Sequence, residues 1–95
     1  MSHQNQPPHL RTFLGKYGIL IDIRSPVDFR DGHLPNAVNM TLRQLTILQS
    51  MEKNTPFVIC GDEADASTVR AAINYLMLYG FTRIYSVDST GNRTT

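Results

Sequence analysis

A single cysteine, Cys60, stands where a nucleophilic thiol would be placed. It closes the apolar run Pro56-Phe57-Val58-Ile59, and the small polar stretch Gly61-Asp62-Glu63-Ala64-Asp65-Ala66 follows it. Helical spacing then begins at Ser67. A strand end, a tight loop and a helix N-terminus can aim backbone N–H groups at one sulfur atom. Such a setting favours the thiolate, which is the nucleophilic form. One thiol makes no intramolecular disulfide and no thiolate metal cluster. The competing reading is a buried hydrophobe, because free Cys is among the most buried residue types.

Asp22 and Arg24 share one side of a strand if it is regular, opposite Ile21 and Ile23. Their plain reading is a strand-end ion pair. His33, in Gly32-His33-Leu34-Pro35, suits a hydrogen bond that fixes a turn better than a general base. Neither it nor His3 or His9 has a metal partner at sensible spacing. Tyr75, Tyr79, Phe81 and Tyr85 read as packing residues rather than a stacking platform.

The elements that must position these residues alternate. Residues 1–8 read as a flexible tail ahead of one domain, 9–95, and 9–17 as a short helix through Leu10, Phe13 and Leu14. Ile19–Arg24 is a strand rich enough in aliphatics to be buried on both faces. Ser25 and Pro26 open a short helix as cap and first residue, with Asp28 in its first turn. Ala37–Met40 is a second short strand. Thr41 and Gln44 form a capping box for a helix with Leu42, Leu45, Ile47, Leu48 and Met51 on one face. Phe57–Cys60 is the third strand. The helix from Ser67 carries Val69, Ala72, Ile73, Leu76 and Met77 inward and stops at Gly80. Arg83–Asp88 is the fourth strand, and the polar residues 89–95 are expected to fray. Strands alternating with helices predict a parallel sheet with helices on both faces. Ligand sites in such sheets lie beyond the carboxyl ends of the strands, which predicts an exposed Cys60.

Ninety-five residues make one domain, and 41% hydrophobic with 18% charged residues excludes a disordered chain. A net charge of +1 gives no electrostatic case for nucleic-acid binding. No apolar stretch approaches a membrane span, and the polar N-terminus lacks the centre of a signal peptide. With one Cys, the reducing cytoplasm is the expected compartment.

The stretch Leu20-Ile21-Asp22-Ile23-Arg24-Ser25-Pro26-Val27-Asp28-Phe29-Arg30-Asp31-Gly32-His33-Leu34-Pro35-Asn36-Ala37-Val38-Asn39-Met40 resembles the signature of the rhodanese-like (sulfurtransferase) domains. It shows an aliphatic strand, Asp-x-Arg, a short helix with an aromatic, then Gly-His-x-Pro and a strand. Asn36 stands where the family usually has Gly, and Asn is the next best residue for a left-handed turn. The likeness runs from about residue 18 to 88. It implies a three-layer α/β/α fold with a small, mainly parallel sheet of about four strands. It places the active cysteine at Cys60, whose thiolate would carry sulfane sulfur as a persulfide from a donor such as thiosulfate to a thiophilic acceptor. Loop N–H groups from Gly61 through Asp62, Glu63, Ala64, Asp65 and Ala66 to Ser67 would hold the sulfur, and no metal or organic cofactor is implied. Asp22 and Arg24 would brace the loop, with His33 and Arg70 in support. A protein persulfide or thiol would serve as donor or acceptor as well as a small molecule.

Several positions depart from the family pattern. Thiosulfate-using members often carry Arg or Lys in the loop, whereas this loop has Asp62, Glu63, Asp65 and no cation. Related phosphatases place Arg six residues after Cys; here that position is Ala66, and Asp65 precedes it. Asp88-Ser89-Thr90-Gly91-Asn92-Arg93 replaces the usual Gly-Gly and closing helix, which favours self-association or docking on a partner. Two functions therefore compete: a sulfurtransferase using Cys60, and a rhodanese-like binding module that keeps the thiol without efficient turnover.

Overall fold

A computed structural model describes residues 18–94. The tail 1–8 and the helix expected over 9–17 lie outside the described residues. Four parallel strands, β1 (Ile19–Asp22), β2 (Val38–Asn39), β3 (Phe57–Cys60) and β4 (Ile84–Val87), form one sheet in the order β2-β1-β3-β4. Two α-helices, α1 (Pro26–Asp31) and α2 (Ala66–Leu78), and two 3-10 helices, Arg43–Ser50 and Glu63–Asp65, complete the described elements. No helix among the described residues is long and apolar enough to cross a membrane.

Period-two alternation sorts the strand residues into two clusters. Ile21, Phe57 and Ile59 pack on one face with Leu45, Leu48, Ala72, Leu76 and Phe81. Leu20, Val58, Cys60 and Val87 pack on the other with Leu34, backed by Ala37 and Tyr85. Every residue of β3 is therefore buried, as its unbroken apolar run requires. Phe57 and Phe81 meet edge to face, their centroids 4.7 Å apart.

β3 has the expected bounds, while β1, β2 and β4 are shorter than the sequence suggests. β1 stops at Asp22 because the Arg24 N–H donates to Asp22 Oδ1 (3.0 Å) instead of to a neighbouring strand. The Asn39 side-chain amide then donates to the carbonyls of Asp22 and Arg24, both at 2.9 Å. Ser25 caps α1 through its hydroxyl, which accepts from the Asp28 N–H (3.2 Å), and Pro26 is the first helical residue as expected. Asn36 takes φ 68°, the left-handed turn that its place in the pattern predicts.

Three corrections concern helices and the chain end. The segment opened by the Thr41–Gln44 box is a 3-10 helix, not an α-helix. At three residues per turn Leu42, Leu45, Leu48 and Met51 fall in one row against the core, and Ile47 is left 70% exposed. In α2, Ala72 and Leu76 are buried while Met77 points outward, and the helix begins one residue early, at Ala66. Residues 92–94 do not fray: they fold back antiparallel on the edge of β4. Val87 pairs with Arg93, the Thr94 N–H donates to the Ser86 carbonyl (3.1 Å), and the Asp88 N–H donates to the Asn92 carbonyl (2.8 Å).

Candidate functional site

Cys60 ends β3 at the carboxyl edge of the sheet, in register with Asp22 on β1 and Val87 on β4. The sequence predicts its place in the fold, but not its surroundings. The side chain lies among Leu20, Leu34, Val58 and Val87 and has no exposed surface. Its Sγ–H donates to the Asp88 carbonyl at 3.5 Å. Burial pushes the thiol from 9.0 up to about 12, and the Asp22 carboxylate adds to the rise. Arg24 pulls the other way, and Asp62 and Asp88 push it up again. In this arrangement the sulfur is a protonated thiol at neutral pH, where the sequence predicts an exposed thiolate.

The loop explains part of the difference. Four N–H groups of its expected cradle are taken by internal acceptors. The Gly61 N–H donates to the Val87 carbonyl (3.1 Å), Asp62 N–H to Asp65 Oδ2 (2.9 Å), Asp65 N–H to the Asp62 carbonyl (2.8 Å), and Ala66 N–H to the Glu63 carbonyl. Gly61 is also required sterically, since a Cβ there would lie 2.5 Å from Val69 Cγ2. Ala64 and Ser67 are exposed.

Asp22 and Arg24 form the expected pair, and it is buried. Arg24 Nη2 is 2.9 Å from Asp22 Oδ2, Nε donates to Oδ1 at 3.0 Å, and Nη2 also donates to the Gly32 carbonyl at 2.7 Å. The Asp22 hydrogen bond holds the Arg24 guanidinium above its ordinary pKa. Arg24 Nη1 lies 4.0 Å from Asp62 Oδ2. The guanidinium thus lies between the end of β1 and the loop after Cys60, where the resemblance would have it act as a brace.

The acidic residues of the region are not equivalent. Asp65 accepts from its own loop, while Asp62 Oδ1 accepts the Ser89 N–H at 2.8 Å. Asp88 Oδ1 gathers Thr90 Oγ1 (2.6 Å), Thr90 N–H (2.9 Å) and Asn92 N–H (3.0 Å). The Thr90 hydroxyl, with these backbone donors, holds the Asp88 carboxyl below the usual range. Glu63 is exposed, and its carboxylate has no hydrogen bond or ion pair with the other described residues. Segment 88–92 is the component that sequence reasoning underrated. Its signal was Asp followed three residues later by Gly, a composition suited to a side-chain-closed turn, and Gly91 takes φ 92°.

Two further candidates stand apart from the thiol. His33 stacks on Phe29 (3.7 Å between centroids) and its Nδ1 is 2.7 Å from the Phe29 carbonyl, so it fixes the turn after α1. Arg70 is exposed on α2, beside a cleft of about 620 Å³ between α2 and β4, and it is not among the charges that act on Cys60. Val69, Ile73, Ile84, Tyr85 and Arg93 also line this cleft, and Gly61 and Asp62 reach its end. Cys60 does not line it, because the sulfur lies on the opposite face of the sheet from α2.

Comparison with known proteins agrees with the resemblance in the sequence. The Rhodanese-like domain family matches residues 6–89. The chain is 30% identical over 84 residues to the thiosulfate sulfurtransferase GlpE of Pseudomonas syringae pv. syringae, covering 86% of this chain and 77% of that protein. The rhodanese-like domain of the Alr3790 protein from Anabaena superposes with a TM-score of 0.58 at 25% identity, over 83% of this chain and 80% of its own. A single-domain sulfurtransferase of Saccharomyces cerevisiae gives 0.59 at 12% identity, over 87% and 78%, which is a likeness of fold. The parallel sheet, the Asp22–Arg24 brace and the cysteine at the end of β3 accompany a family match across most of the chain: this protein belongs to the rhodanese-like domain family.

Proposed function

We propose that the protein is a sulfurtransferase in which Cys60 carries sulfane sulfur. The observation that carries this reading is the position of the one thiol at the carboxyl end of β3, ahead of a loop and the N-terminus of α2, in a chain 30% identical to a thiosulfate sulfurtransferase. In the first step the Cys60 thiolate attacks the outer sulfur of the donor. The donor's S–S bond breaks, and its electron pair leaves with sulfite (from thiosulfate) or with a thiolate (from an organic persulfide). In the second step a thiophilic acceptor attacks the terminal sulfur of the Cys60 persulfide, and the thiolate returns. One hard transfer is thus divided into two easier ones.

Charge favours a persulfide donor over thiosulfate. Among the described residues Arg24 is the one cation that lowers the thiol's pKa, and Asp22 engages it already. A donor of lower charge, including a protein persulfide, meets less repulsion from Asp62, Glu63 and Asp88. A reducing compartment such as the cytoplasm suits this chemistry, since it keeps the acceptor thiols reduced.

A second reading has an observation of its own. Full burial and a thiol held near 12 suit a rhodanese-like binding module that does not turn over. Intact mass after incubation with thiosulfate, and separately with an organic persulfide, decides between them. Gain of one sulfur atom on Cys60, removed by cyanide, supports transfer. No adduct from either donor, with the thiol open to alkylation, leaves the binding module.

A further inference from the structure

The thiol is covered from one direction by a small closed structure. Segment 88–92 is knotted around the Asp88 carboxylate and bonded back to β4, and its first carbonyl receives the Cys60 Sγ–H. That carbonyl also accepts the Gly91 N–H at 2.9 Å, so the knot and the thiol share one acceptor. From the loop after Cys60, one side chain reaches across to the knot: Asp62 Oδ1 accepts the Ser89 N–H at 2.8 Å. The other oxygen of the same carboxylate faces Arg24 at 4.0 Å, and Arg24 is itself fixed by Asp22 and the Gly32 carbonyl. Asp62 therefore joins β1, the loop and the knot through a side chain that retains 43% of its exposure to solvent.

We propose that Asp62 is the positioning residue that sets access to the Cys60 thiol: its bond to the Ser89 N–H clasps segment 88–92 over the sulfur, and release of the clasp admits the sulfur donor. The proposal rests on the sulfur-carrying role of Cys60 and adds how that site is opened. Segment 88–92 follows β4, the edge strand of the sheet, and β1, β2 and β3 pair with one another without it, so their pairing does not depend on the segment's place.

Native-state labelling of the full chain with iodoacetamide in low urea tests this, with intact mass as readout. In the wild type, Cys60 labelling is expected to be faster than global unfolding allows and nearly independent of low urea, the mark of a local opening. Asp62→Ala is expected to speed labelling about 10- to 100-fold, the weight of one hydrogen bond to a charged group. Ser89→Pro removes the same bond from the donor side and is expected to act alike. Asp62→Asn keeps an oxygen acceptor but loses the charge, and is expected to label at a rate between those of the wild type and Asp62→Ala. A wild-type urea slope equal to that of global unfolding overturns the clasp, and so does an Asp62→Asn rate as fast as that of Asp62→Ala. If Asp62→Ala fails to fold, the wild-type slope, Ser89→Pro and Asp62→Asn still decide. A global slope together with sulfur uptake overturns the clasp and spares sulfur transfer. A local slope with no sulfur uptake from either donor overturns sulfur transfer and spares the clasp.

Discussion

Glu63 is the one carboxylate of the loop after Cys60 with no bond to the other described residues, whereas Asp62 and Asp65 are held by backbone donors. A substitution at Glu63 therefore isolates repulsion of an anionic donor from any change in the fold. Glu63→Gln is expected to raise the rate with thiosulfate about two- to fivefold, the size of one unit-charge repulsion at close range in water. It should leave the rate with an uncharged organic persulfide unchanged, and a cyanide-coupled assay with both donors checks this. Neutralising Asp62 together with Glu63 would confound charge with the contact to Ser89. At this scale the sequence was legible in identity but not in environment. Cys60, Asp22 and Arg24 were readable from type and spacing, and the structure brings them together. The burial of the thiol was open as the competing reading but undecided, because an unbroken apolar strand does not say what closes over its last residue. Here the cover comes from Leu20, Leu34 and Val87 on other segments, and from the Asp88 carbonyl 28 positions along the chain.

The elements follow local rules closely, and the exceptions have local causes. Leu42, Leu45, Leu48 and Met51 are spaced by three throughout, the period of a 3-10 helix, and Ile47 suggested an α-helix only because it sits between them. Leu48→Ala is expected to destabilise the fold by about 2–4 kcal/mol, while Ile47→Ser should stay within about 0.5 kcal/mol. An α-helical face carrying both residues would make both substitutions costly, so urea denaturation of the pair checks the geometry. The α1 cap, the Asn36 turn and the Gly80 stop were all visible in the sequence because each depends on one residue type at one position. The strand termini were not, since β1 ends on a side-chain bond between Asp22 and the Arg24 N–H.

For the whole molecule, the parallel order and the two packed faces leave Cys60 as a titrating group inside the core. In the unfolded chain the thiol ionises near 9.0, and in the fold it stays protonated to about 12. The folded state therefore holds the extra proton between these values. The stability this contributes is complete below the lower value and is lost as pH rises through the window. The slope is at most about 1.4 kcal/mol per pH unit. Cys60→Ala, compared with the wild type by urea midpoints in buffers stepped upward from pH 9.0, is expected to flatten the decline. An equal decline in both would place the thiol outside the core. The return of residues 92–94 along β4 has a different consequence. An open parallel sheet presents unpaired N–H and C=O groups at its rim, a template on which another chain can add. Here Asn92, Arg93 and Thr94 occupy the part of that rim nearest the thiol with polar and cationic side chains. The segment whose carbonyl meets the sulfur is thus continuous with the one that blocks strand addition at the sheet edge, so an opening at segment 88–92 would also loosen the molecule's protection against its own neighbours.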